Sequence, residues 1–283
     1  MKCLCFHEDN TGAGSSKVIA GHAIVALIAF SSAQPVQSQT IDYEDPTPVA
    51  VEVGNRQMVD FPTAYSLPRG AYDLSFTVYS NGGLLAGTNI GLSDFLTVGF
   101  SYGAESVFAA ETPNYNPGVE FEIKWRLTDE TSSLPALAIG FSSQGKGDFI
   151  DEFDRYTFKA HGFYGVFSKA IPIIGYAWTW HGGANYSAER ESNTDSDKSP
   201  NLFTGLSTYL RENVNFAIEY DFSFNDNRTG YPFGKGRGYL NASLKWVYFD
   251  NLQIEFTARN LLNNRREANS FERGLKIVYL EFF

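Results

Sequence analysis

The segment GVEFEIKWRLTDE, Gly118 to Glu130, constrains the fold more than any other part of the chain. Val119, Phe121, Ile123, Trp125 and Leu127 are large and apolar. Between them Glu120, Glu122, Lys124, Arg126 and Thr128 are polar, four of the five being charged. A period of two puts each set on its own face of a strand. One face must meet an apolar medium, and the other must be wet or internally paired.

The same alternation recurs in YDLSFTVYS (72–80), FLTVGFSYG (95–103), VNFAIEYDFSF (214–224), YLNASLKWVY (239–248) and LQIEFTAR (252–259). Several of these runs have 9 to 11 residues. That exceeds the usual globular strand of about 5–6 residues and matches the length at which a tilted strand crosses a bilayer. Aromatic residues make up 16% of the chain, and 26 glycines supply bends and turns. From Tyr72 onward the pattern predicts about 12 strands, with 10 or 14 as neighbouring even counts.

Connections give an independent test. Those after even strands are short: Ser93-Asp94, Asp129 to Leu134, Ser168 to Pro172, Arg211 to Asn213 and Phe249 to Asn251. Those after odd strands are mostly long and polar, among them AAETPNYNP (109–117), QGKGDFIDEFD (144–154), AERESNTDSDKSP (188–200), NDNRTGYPFGKGR (225–237) and NNRREANSF (263–271). Short turns at one end and long loops at the other are the asymmetry of an outer-membrane barrel, with both chain ends on the periplasmic side. The expected fold is therefore all-β, a transmembrane antiparallel β-barrel over residues 71–283.

Ahead of the barrel, VIAGHAIVALIAF (18–30) follows Lys17 and precedes small-residue cleavage candidates at Ser31-Ser32-Ala33 and Val36-Gln37-Ser38. Residues 1–38 read as a secretory signal peptide. Both cysteines, Cys3 and Cys5, fall within it, so the mature chain is expected to have no disulfide, thiol nucleophile or lipoprotein anchor. Residues 39–70 are polar and Pro-rich, and are expected to form a short periplasmic segment, with the lumen as its other possible place. The charge of −10 argues against nucleic acid as a partner. Bacterial outer-membrane lipid and lipopolysaccharide are the expected surroundings.

The last segment, GLKIVYLEFF (274–283), sets Leu275, Ile277, Tyr279 and Phe283 on one face, with Glu281 as a charged exception. Tyr279 and Phe283 are similar to the C-terminal signal read by barrel-assembly machinery.

Three stretches resemble the YjbH-like outer-membrane proteins linked to exopolysaccharide and capsule production. They are VDFPTAYSLPRGAYDLSFTVYS (59–80), IKWRLTDETSSLPALAIGFSSQGKGDF (123–149) and, more weakly, Phe158 to Gly183, where Ser168-Lys169-Ala170 is expected to join paired strands. The resemblance implies a single-barrel relative that assists export or surface assembly of exopolysaccharide, with polysaccharide and periplasmic export proteins as partners. It carries over no catalytic residue.

The lumen-facing charges expected from parity are Glu120, Glu122, Lys124, Arg126, Glu219, Asp221, Lys245, Glu255, Arg259 and Lys276. Their mixed signs favour a paired network over a uniform field. Tyr79, Phe163, Phe167, Phe203 and Tyr209 are lumen candidates for stacking on sugar rings, while Trp125, Trp178, Trp180 and Trp246 fall on the lipid face as interfacial anchors. A general small-solute, porin-like channel is the alternative function. A lipid-modifying enzyme is the rival from another class, and it would draw on His161, His181 and Ser143. No cofactor or metal site is expected, since the acidic loop DFIDEFD (148–154) lacks the spacing of a calcium site.

Overall fold

In lipid an unpaired backbone N–H or C=O finds no water, so a set of amphipathic strands must close on itself. The computed structural model, which describes residues 56–110, 112–173, 176–189, 199–227, 233–249, 251–266 and 271–283, does this with a single closed barrel. Residues 1–55, with the expected signal peptide, lie outside the described residues.

The barrel strands are β1 (Ala71–Tyr79), β2 (Gly83–Ser93), β3 (Leu96–Glu105), β4 (Glu120–Thr128), β5 (Ala136–Ser142) and β6 (Gly162–Ile173). They continue with β7 (Tyr176–Tyr186), β8 (Asn201–Arg211), β9 (Val214–Asp221), β10 (Tyr239–Tyr248), β11 (Leu252–Arg259) and β12 (Glu272–Phe282). Each pairs antiparallel with its neighbours in sequence, and β12 returns to β1 through a register from Ala71↔Phe282 to Val78↔Leu275. The expected twelve strands and their alternation of short and long connections are present.

Burial follows parity. On β4, Phe121, Ile123 and Trp125 are exposed on the outer face, while Lys124 between them is only 5% exposed. Likewise Leu244 and Trp246 point outward from β10, and Ser243 and Lys245 are buried.

Three details differ from the sequence reading. β6 runs through Ser168–Pro172, where a turn was expected, and reaches Ile173. Ser168 is an inward-facing strand residue with bonded partners, and Pro172 pairs with Ala177 near the strand end, where a missing N–H is tolerated. The Gly-rich loop after β5 forms its own hairpin, Lys146–Ile150 with Arg155–Phe158. Finally, the N-terminal segment is in the lumen from Arg56 onward.

Candidate functional site: a plugged lumen

Residues 56–69 bond to inward side chains from strands all around the closed barrel, which places them inside it. The chain enters next to the end of β12, where the Phe283 N–H donates to the Gly70 carbonyl at 3.0 Å. Gly70 takes φ +81°, a left-handed conformation that lets the plug turn into β1. At the same end, the Leu67 N–H donates to Thr97 Oγ1 on β3 at 3.1 Å.

Deeper in, the plug folds back on itself. The Met58 N–H donates to the Phe61 carbonyl at 2.9 Å, and the Thr63 N–H to the Arg56 carbonyl at 3.1 Å. This tight loop turns three consecutive amides toward one acceptor, Glu219 on β9. Its carboxylate accepts from the N–H groups of Val59 (3.1 Å), Asp60 (3.0 Å) and Phe61 (3.1 Å). Asn241 Nδ2 on β10 donates to the same carboxylate at 2.9 Å.

Next to it, Arg259 Nε donates to both oxygens of Asp60, at 2.9 and 2.8 Å. Burial by itself would raise the Asp60 carboxyl, but the Arg259 guanidinium holds it below its ordinary range. Breaking such a buried pair from one side costs about 3–5 kcal/mol.

Apolar packing completes the seat. Met58, Phe61 and Ala64 share a buried cluster with Ala136, Ala138, Tyr164, Val166, Phe203 and Ala217 of the wall. Phe61 stacks on Phe203 with ring centroids 4.2 Å apart. The small wall residues make the room: a Cβ on Gly205 would lie 2.4 Å from Met58 Sδ.

The expected lumen charges have inward-facing positions, and half of them, Lys124, Glu219, Lys245, Arg259 and Lys276, hold the plug. Lys124 Nζ donates to the carbonyls of Arg56 (3.1 Å) and Tyr65 (3.2 Å). Lys245 Nζ reaches the Gln57 carbonyl at 3.4 Å, and Lys276 Nζ reaches Gln57 Oε1 at 2.8 Å. Glu255 lies between those two lysines in the cross-strand register.

Toward the long loops, Glu120 accepts from Tyr156 Oη at 3.1 Å and Glu122 from Tyr164 Oη at 3.2 Å, while Asp221 accepts from Asn201 Nδ2 at 2.7 Å. Arg126 sits at the short-turn rim, on the Asp94 carbonyl (2.8 Å) and Asp129 (3.0 Å).

Two aromatic assignments are corrected. Phe163, 63% exposed, faces outward, and Phe167 packs edge-on against the outward Trp180. HGFYGVF (161–167) has apolar side chains at both parities, so alternation could not choose a face; Tyr164 turns inward, where its hydroxyl meets Glu122. Phe203 is buried on the plug, Tyr79 bonds the Ala104 carbonyl at 3.4 Å, and Tyr209 shares the inward parity of Phe203. Tyr279 is exposed and bonded to Glu281, and Phe283 is 83% exposed.

The residues considered for a hydrolytic site are dispersed into structural roles. His181 is fully buried between Ser168 Oγ (2.7 Å from Nδ1) and Ser207 Oγ (3.0 Å from Nε2), and Ser168 Oγ also accepts from the Ala64 N–H at 2.9 Å. His161 lies tilted against Phe61 with ring centroids 4.5 Å apart, and burial pushes its pKa down to about 3. Ser143 Oγ is engaged with the Phe121 backbone.

The long-loop end has its own cover. Arg155 from the loop hairpin is fully buried, 2.7 Å from Asp226 Oδ1 and 3.9 Å above the Phe233 ring. Tyr239 Oη donates to the other Asp226 oxygen at 2.8 Å. Sequence reasoning did not single out Arg56, Gln57, Asp60 or Arg155. The available signals were the buried-type residues in VDFPTAYSLP (59–68) and the small inward residues Ala136, Ala138, Gly205 and Ala217, which leave a gap in the lumen.

Together the fold and lumen define an outer-membrane-type β-barrel that holds its own N-terminal segment, residues 56–69, in the lumen. No protein-family model matches the chain, and no curated protein does. Among solved structures, the KdgM porin is similar at 8% identity over 75% of this chain and 99% of that one, with a TM-score of 0.47. The NanC porin follows at 10% identity, 75% and 99% coverage and a TM-score of 0.39. An outer-membrane channel from Pseudomonas putida F1 has 11% identity, 84% and 100% coverage and a TM-score of 0.37.

Proposed function

We propose that the chain is a non-catalytic outer-membrane channel for small solutes, held shut by residues 56–69. The observation that carries this is the seat of the plug. It is held by side chains spread around the wall, among them Glu219, Arg259, Lys124 and Ser168, and adds no strand to the barrel. A segment held in this way can leave without breaking strand pairing. The polar wall it would uncover suits aqueous solutes.

The resemblance to YjbH-like proteins gives the same channel a narrower role, in which it assists export or surface assembly of exopolysaccharide with periplasmic partners. Its support is that the motif residues Pro62-Thr63-Ala64 and Leu67-Pro68-Arg69-Gly70 belong to the plug and its root.

The test is single-channel conductance in a planar bilayer, comparing the native chain with Glu219→Gln. The amide nitrogen of that variant turns a donor toward the plug's N–H groups. The native protein should be mostly closed and the variant steadily open, with block by a polysaccharide fragment favouring the narrower role. A correctly folded variant that passes no current would overturn the channel reading.

A further inference from the structure

Beside the plug lies a chamber of about 130 Å³, walled by β1–β4 and β10–β12 and roofed by the hairpin residue Lys146. We infer that this chamber is a binding site for a small dianion of the phosphate or dicarboxylate kind.

The charge balance is the first argument. Five cationic side chains line the chamber against four carboxylates, in a protein whose overall charge is −10. Of those carboxylates, Asp73 is paired with Arg56, and Asp60 is held by Arg259, which does not itself line the chamber. Glu255 is flanked by two ammonium groups, Lys245 and Lys276, in the cross-strand row. The wall therefore presents more cationic charge than its own carboxylates answer.

Unanswered donors are the second argument. Lys146 lines the chamber, where the carboxylates of Asp60 and Glu122 attract it, and no hydrogen bond from its ammonium group is seen among the described residues. Gln253 is only 3% exposed, and neither its Nε2 nor Arg56 Nε has a hydrogen-bond partner among the described residues. A buried donor without an acceptor costs about 1–3 kcal/mol, and ionised acceptors make the stronger bonds. The unanswered acceptors, Glu255 Oε1 and Ser66 Oγ, suit a water or a protonated ligand oxygen. Because Arg56 belongs to the plug and Lys276 to the wall, a dianion between them ties the two together.

The inference goes beyond the channel reading and does not need solute to pass, because binding is read in detergent. Inorganic phosphate and succinate are titrated calorimetrically into the folded full chain at constant ionic strength, with glucose as the neutral control. One saturable site for either dianion is expected, with a raised melting temperature. Lys276→Gln and Lys146→Gln should each weaken it about tenfold or more, a loss of about 1.4 kcal/mol or more. Lys146→Arg should retain it, and so should Lys169→Gln at the short-turn rim. Absence of saturable binding, equal binding of glucose, or full affinity in a folded Lys146→Gln/Lys276→Gln double variant would overturn the site.

Discussion

Glu219 and Asp60 show how single residues set the state of the lumen. An inward carboxylate on a barrel strand would ordinarily be hydrated or paired with a cation. Here Glu219 is 1% exposed and answered by three backbone amides of the plug. Removing Asp60's charge leaves Arg259 buried without its anion, at a cost of about 3–5 kcal/mol. Asp60→Asn should therefore loosen the plug. A cysteine placed at Thr63, a residue 1% exposed, should react with maleimide much faster in that background than in the otherwise native chain. Unchanged labelling would count against the ion pair as a latch.

A second carboxylate gives a pH dependence. Burial raises Glu189 to about 7, against the pull of Arg155 and the N–H groups of Ala160 and Tyr156. A raised acid favours the folded loop below its ordinary pKa and loses that contribution as pH rises through 7. Amide exchange at Tyr156 and Ala160 should thus be slower at pH 5 than at pH 8, after correction for intrinsic rates. Glu189→Gln should flatten the difference.

Among the elements, the barrel strands were legible in the sequence because each repeats one physical rule over 8 to 12 residues. β5, at Ala136–Ser142, is the short exception with 7. The plug obeys no such period. Residues 56–69 have no repeating pattern to read, since their partners are scattered over nearly the whole barrel. Their polar, Pro-rich composition indicated only a segment without regular structure. β6 was cut short for a related reason. Ser168 and Pro172 are turn formers by local chemistry, yet inward bonding and cross-strand pairing hold them in a strand.

The root of the plug offers an element-scale test at Gly91 on β2. A Cβ there would fall 2.0 Å from the Pro68 carbonyl oxygen, so the backbone of the plug must move. Overpacking of this kind costs about 1–3 kcal/mol. Gly91→Ala should speed amide exchange at Leu67 and Gly70, while far-UV circular dichroism keeps its β signature. Equal exchange in both proteins would mean that the plug root is not anchored there.

For the whole molecule, closure is independent of the plug. All twelve strands pair with one another, β12 with β1, and none pairs with residues 56–69. Deleting residues 56–66 should leave a barrel that still migrates as a compact, heat-modifiable species in detergent gels. Its melting temperature should fall, since the deletion removes the buried Met58 and Phe61, whose burial contributes about 1.5–3 kcal/mol per side chain. Its conductance should rise to a steady level. A deletion variant that no longer folds would show instead that the segment is an internal core on which the barrel assembles.

The sequence by itself determined the amphipathic strands, an even count near twelve, the ends that carry short and long connections, and the inward parity of the ten charged residues. Those properties depend on alternation and on the absence of water in lipid, both of which act locally along the chain. Only the tertiary structure decided what the inward charges hold. Closing the barrel brings Glu219, Arg259, Lys124 and Ser168, far apart in sequence, around one loop, residues 56–69, and the partners of that loop are fixed by distance across the lumen.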